Sequence, residues 1–110
     1  MNSLQTMIKI RQPDDWHLHL RDGSLMQAVV GSTARVFQRG VVMPNLSPPI
    51  TSIEAAISYK QKIMSAIPRE LSFDPLMTIY LTDDLSPNVL RNGYEKGIIF
   101  AAKLYPANST

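Results

Sequence analysis

Apolar and polar residues alternate from Trp16 to Arg21. Trp16, Leu18 and Leu20 fall on one side, and His17, His19 and Arg21 on the other, the period-2 pattern of a strand with one apolar face. Met7-Ile8-Lys9-Ile10-Arg11 alternates as well and predicts a short strand ahead of the turn-forming Pro13-Asp14-Asp15. After Asp22-Gly23 the period changes. Ser24 offers an N-cap with Gln27 three residues later as capping-box partner, and Leu25, Val29, Ala34, Val36 and Phe37 follow at helical spacing. The spacing predicts a helix from Leu25 to Phe37, a connection ended by Gly40, and a short buried strand Val41-Val42-Met43.

The same alternation of periods continues. Pro48-Pro49 marks a loop, and Thr51 with Glu54 forms a second capping box. Ile53, Ile57, Lys60, Ile63, Met64 and Ile67 then trace an amphipathic helix closed by Pro68. A strand is predicted from Leu76 to Leu81. Ser86-Pro87 supplies an N-cap followed by proline at the first helical position, and this helix is stopped by Gly97. Ile98 to Leu104 reads as a further buried strand ended by Pro106. Strands alternating with helices imply a parallel sheet in an α/β fold. Two closures stay open on this pattern, a doubly wound sheet or a (β/α)8 barrel. A complete barrel takes roughly 250 residues, so 110 residues would supply about half of one, with an open sheet edge left over.

Composition narrows the chemistry. The chain is 45% hydrophobic and 18% charged, with a net charge of +2, an ordinary globular balance that gives no reason to expect a nucleic-acid or membrane partner. It has no cysteine, which excludes disulfides and thiolate metal sites; a metal would need His, carboxylate or a modified side chain. Neither a signal peptide nor a membrane span is expected, and a cytoplasmic location is the default. Met7, Met26, Met43, Met64 and Met77 fall on core-like positions and are read as packing. No Gly-rich phosphate loop or nucleophile elbow occurs.

Three places could carry chemistry. His17-Leu18-His19 holds the only two histidines. On a strand both imidazoles leave the same face and can chelate one divalent ion, although a zinc site needs three or four ligands. Arg21 continues that face and suits an anionic, carboxylate-bearing substrate. Lys103 ends an apolar strand; alternation places it with Ile99 and Ala101, and desolvation there would lower its pKa. A neutral amine can combine with carbon dioxide to a carbamate able to bridge two metal ions. Asn45, just after a strand, can donate to a substrate carboxylate or cap its loop. Read from residue type alone, the simpler alternatives are solvated histidines and a snorkelling lysine.

These residues lie in blocks that resemble a known family. Asp15-Trp16-His17-Leu18-His19-Leu20-Arg21-Asp22 looks like the metal-binding signature of the dihydroorotases of the shorter bacterial and fungal type, within the amidohydrolases. Met43-Pro44-Asn45-Leu46 with Pro48-Pro49 is similar to their second block, and Ala101-Ala102-Lys103-Leu104-Tyr105-Pro106-Ala107-Asn108 to the block with the carboxylated lysine. The similarity runs from about Ile8 to Thr110, and the order and spacing of the blocks make it specific.

The resemblance implies a fold, a set of roles and a reaction. Residues 1–110 would be the N-terminal portion of a single metal-dependent (β/α)8 TIM-barrel domain. His17 and His19 would bind one zinc ion, and Lys103, as N6-carboxylysine, would bridge two. Arg21 and Asn45 would hold the substrate carboxylate, and Thr110 would begin a mobile loop over the site. The implied reaction is the reversible cyclisation of N-carbamoyl-L-aspartate to dihydroorotate in pyrimidine synthesis. Two zinc ions activate water and polarise the ring amide carbonyl, an aspartate handles the proton, and the full-length protein is expected to be a homodimer. The family's two further histidine ligands and its catalytic aspartate have no counterpart in these 110 residues, so this stretch alone is expected to be inactive. Two alternatives stand beside this reading: another cyclic amidohydrolase, hydantoinase- or allantoinase-like, and a non-catalytic barrel fragment.

Overall fold

The structure is a computed structural model and describes residues 5–106. Strands and helices alternate without exception: β1 (Asp14–Leu18), α1 (Gly23–Val36), β2 (Arg39–Val42), α2 (Ile53–Ala66), β3 (Asp74–Tyr80), α3 (Pro87–Glu95) and β4 (Ala101–Lys103). The strands pair in sequence order, β1-β2-β3-β4, and every pair is parallel. The result is a curled half-barrel, which settles the choice between the two closures in favour of a partial TIM barrel. None of the described helices is long and apolar enough to cross a membrane.

Burial explains the pairing. Each helix lays one stripe on the outer face of the sheet: Met26, Val30 and Ala34 from α1, and Ala56, Tyr59 and Ile63 from α2. These meet Leu18, Leu20, Val42, Met77, Ile79 and Ile99 in one core. Two close approaches need glycine. A Cβ at Gly93 would meet Ile53 Cδ1 at 2.5 Å and Ile99 Cγ1 at 3.0 Å, so α3 can seat itself against the start of α2 only there. At Gly40 the corresponding contacts are Leu18 Cδ2 at 2.8 Å and Phe73 Cζ at 2.9 Å.

Several details differ from the pattern-based reading. Residues 7–11 form no strand, and Met7 is 83% exposed; alternation alone is insufficient where no neighbouring strand accepts the backbone. Helix α1 starts two residues early, because Asp22 rather than Ser24 caps it by accepting from the Gly23 amide. Ser52 rather than Thr51 caps α2 by accepting from the Ala55 amide. The cap at Ser86, with Pro87 following, is as expected. The core stripe of α1 is shifted: Leu25 and Val36 are exposed while Met26 and Val30 are buried. Met26, Met43 and Met77 pack in the interior, but Met64 is half exposed. The last strand is shorter than its apolar run. The chain bends at Ile98 and Phe100, so Ile99 packs against Gly93 in the core rather than sharing a regular face with Lys103.

Candidate functional site

The C-terminal ends of β1, β2 and β4 gather the polar residues of interest. On β1 the register slips between Asp15 and Leu18, where Trp16 and His17 oppose the single residue Val41 of β2; a bulge of this kind re-aims side chains next to a site. The Asp15 carboxylate accepts from the His17 amide at 3.0 Å, which pins the bulge. Beyond it, Leu18 and Leu20 are buried against the helices and His17 and His19 are exposed on the opposite, open face. The two Nε2 atoms converge to 3.2 Å. Zn–N bonds of about 2.0–2.1 Å at a roughly tetrahedral angle would set two nitrogens about 3.3 Å apart, so the pair fits two ligands of one ion. Burial, then the charges of Arg21, Lys103 and His17, lowers the pKa of His19 and favours the neutral imidazole a metal requires.

Asn45 lies in the loop after β2. The Pro44 carbonyl accepts from the amides of Leu46 (2.9 Å) and Ile50 (3.0 Å), folding the loop back on itself, and the Ile50 carbonyl accepts from Tyr80 at the end of β3. Lys103 closes β4 in register with Tyr80. Its Nζ donates to Asn45 Oδ1 at 2.6 Å and sits 4.4 Å from the centroid of the Tyr105 ring. Burial first, then the charge of Arg21, holds the Lys103 pKa below its ordinary value. A lysine in this setting has an increased neutral fraction, the form that reacts with carbon dioxide.

Arg21 stands at the corner between β1 and α1 with φ of 60°, the single non-glycine residue with positive φ among those described. Its charge reaches both His19 and Lys103, whose pKa values it lowers. The structure therefore brings His17, His19, Arg21, Asn45 and Lys103 into one neighbourhood. Thr110 lies outside the described residues. No group of three or more His, Cys, Asp or Glu side chains able to hold a metal occurs among the described residues, so the histidine pair stands there as two donors. The cleft between the starts of α2 and α3, lined by Ser52, Glu54, Asp84 and Ser86, shares no residue with this cluster.

One residue near the site escaped the sequence reading. Tyr59 is 2% exposed on the core stripe of α2, and its hydroxyl donates to the Arg21 carbonyl at 2.5 Å. The available signal was its spacing from Ala56 and Ile63, which puts a phenol in the core where its hydroxyl needs a partner.

At the opposite end of the sheet the Arg39 guanidinium pairs with Asp14, with 2.5 Å between Nη2 and Oδ2, and lies 5.4 Å from the Trp16 ring centroid. Trp16 in turn stacks on Phe100 at 5.8 Å and 9°.

Known structures share this fold. A dihydroorotase from Campylobacter jejuni superposes with a TM-score of 0.78 at 38% identity, covering 90% of this chain and 28% of that one. A dihydroorotase from Saccharomyces cerevisiae, solved in complex with 5-fluoroorotic acid, gives a TM-score of 0.80 at 31% identity over 89% of this chain and 26% of that one. An L-hydantoinase (dihydropyrimidinase) from Arthrobacter aurescens shares the fold at 17% identity and a TM-score of 0.59, over 83% of this chain and 20% of that one. The chain spans about a quarter of the length of the dihydroorotases it matches. No family model matches it.

Proposed function

We propose that this chain is a segment of a dihydroorotase barrel, which it resembles over about 90% of its own length, and that it carries part of the active site of a zinc-dependent dihydroorotase. The observation that carries this reading is the convergence of the His17 and His19 Nε2 atoms, 3.2 Å apart, beside a lysine of lowered pKa. His17 and His19 would hold one zinc ion. Lys103 Nζ would bond to the carbon of carbon dioxide and lose a proton, becoming a carbamate that would add an anionic donor for metal. The metal ions, when bound, lower the pKa of water and polarise a carbonyl.

The chain's own residues then bind and orient. Arg21 offers a planar pair of donors to a carboxylate, and Asn45 offers an amide beside it. Two such groups favour an acidic cyclic amide, dihydroorotate, over a neutral hydantoin. The reaction would be the reversible cyclisation of N-carbamoyl-L-aspartate to dihydroorotate in pyrimidine synthesis, by a cytoplasmic homodimer in which residues 1–110 form part of one barrel domain. Two imidazoles and one lysine are fewer donors than a two-ion site requires, so residues 1–110 by themselves are expected to give no turnover.

The test is metal content and dihydroorotate hydrolysis by the complete barrel protein containing this segment, with hydantoin and allantoin as competing substrates. About two metal ions per chain, turnover of dihydroorotate, and loss of both in His17→Ala and Lys103→Ala are expected. A metal-binding protein that prefers hydantoin would replace the substrate assignment, and an inactive protein that binds no metal would reduce these residues to scaffold.

A further inference from the structure

We propose that Tyr59 is a positioning residue for Arg21: its hydroxyl, 2.5 Å from the Arg21 carbonyl, holds the β1–α1 corner in the left-handed conformation that sets the direction in which the Arg21 side chain leaves the backbone. The inference rests on the proposed dihydroorotase reading in one respect, the identity of the carboxylate that Arg21 binds.

A left-handed backbone at a non-glycine residue is uncommon and persists where the surroundings over-determine it. Two contacts from one helix do so here. Tyr59 and Lys62 are three residues apart on α2 and therefore neighbours on its surface. Tyr59 takes the Arg21 carbonyl, and Lys62 Nζ lies 3.5 Å from the carboxylate of Asp22, the residue that caps α1. The corner carrying Arg21 is thus held by a helix of the following strand–helix unit as well as by the Asp22 cap of its own.

The donor is dependable. Tyr59 is nearly fully buried with Ala56 and Ile63 in the core, and burial together with the Asp22 charge raises its pKa above the ordinary phenol value, so the hydroxyl keeps its proton. Released from this bond, the corner can relax toward the extended conformation. The direction in which the Arg21 side chain leaves the backbone then changes, while His17, His19 and Lys103 keep theirs.

The experiment is a Tyr59→Phe, Arg21→Ala double-mutant cycle in the complete enzyme, with a crystal structure of Tyr59→Phe. Phe keeps the ring in the core, and the assays are run below the melting transitions of all variants. Tyr59→Phe is expected to raise KM for dihydroorotate and Kd for orotate about 10-fold, as misplacement of a binding group does, with kcat changed far less. In the Arg21→Ala background the same change is expected to add nothing. In the crystal structure, Arg21 is expected to leave positive φ or to shift its guanidinium. An Arg21 conformation identical to the parent's overturns the proposal whether or not the enzyme turns over dihydroorotate. So does a KM rise of equal size in the Arg21→Ala background. An inactive parent, by contrast, fails the functional reading, and the crystallographic comparison still decides the role of Tyr59.

Discussion

Lys103 Nζ lies 2.6 Å from Asn45 Oδ1, a hydrogen bond that reaches across β3 to join the end of β4 to the loop after β2. An amide oxygen orients the amine without giving it an anionic partner, and burial and then Arg21 lower its pKa. Replacing the amide by a carboxylate reverses that balance. Asn45→Asp is expected to hold Lys103 as an ammonium ion, because an opposite charge at hydrogen-bond distance raises its pKa. The fraction of chains carrying one added carbon dioxide, read by native mass spectrometry, should fall, and metal content with it. Undiminished carboxylation in the variant would show that Asn45 does not govern the state of Lys103.

Arg21 provides the carboxylate contact in the proposed site. A hydrogen bond to a charged group contributes about 1.5–3 kcal/mol, and each 1.4 kcal/mol is about tenfold in affinity. Arg21→Ala is therefore expected to raise KM for dihydroorotate roughly 10- to 100-fold, and Arg21→Lys by less than that. Metal content should stay at the parental level in both, since Arg21 is not a ligand. Unchanged KM in Arg21→Ala would remove this residue from the substrate contacts.

The Asp14–Arg39 pair gives an acid signature. The hydrogen bond from Arg39, and then its charge, holds the Asp14 carboxyl below the ordinary carboxylate range. A depressed folded-state pKa contributes stability that is present above the unfolded-state value, about 3.9, and is lost as pH falls below it. Asp14→Asn should flatten the fall in stability below about pH 4 relative to the parent. Because Arg39 also lies over Trp16, tryptophan emission is the natural probe in this segment. Parallel acid-unfolding curves for the two proteins would show that the pair contributes nothing.

The core predicts its own weak point. Ile79 is fully buried on β3, between β2, whose following loop carries Asn45, and β4, which carries Lys103. Ile79→Ala is expected to cost about 2–5 kcal/mol, measured as a shift in urea midpoint. A loss below about 1 kcal/mol would mean that the surrounding side chains collapse into the space.

The order of elements was legible because each has its own period and stop signal. Their ends were less so. Asp22 and Ser24, or Thr51 and Ser52, offer equivalent side-chain oxygens, and only backbone geometry selects the cap. Residues 7–11 alternate as well as β1 does, yet a strand exists only where a neighbour pairs with it. The histidine pair was legible because alternation over two residues is local. The Asn45–Lys103 bond, spanning 58 positions, is set by how far β3 separates its neighbours, and spacing in the chain does not encode that. Tyr59 was missed for a similar reason: its partner is a carbonyl on another strand–helix unit.

Because each strand pairs only with the one before it in sequence, the sheet can be laid down in the direction of synthesis, every new strand docking on a finished edge. Such near-neighbour topology shortens the loops that must close before contacts form. It also gives the site an order of birth on the ribosome. The two imidazoles leave with β1, the Asn45 amide after β2, and the lysine only when β4 arrives. A nascent chain paused before β4 would expose the histidine pair without Lys103, so metal capture at the proposed site would await the docking of the fourth strand.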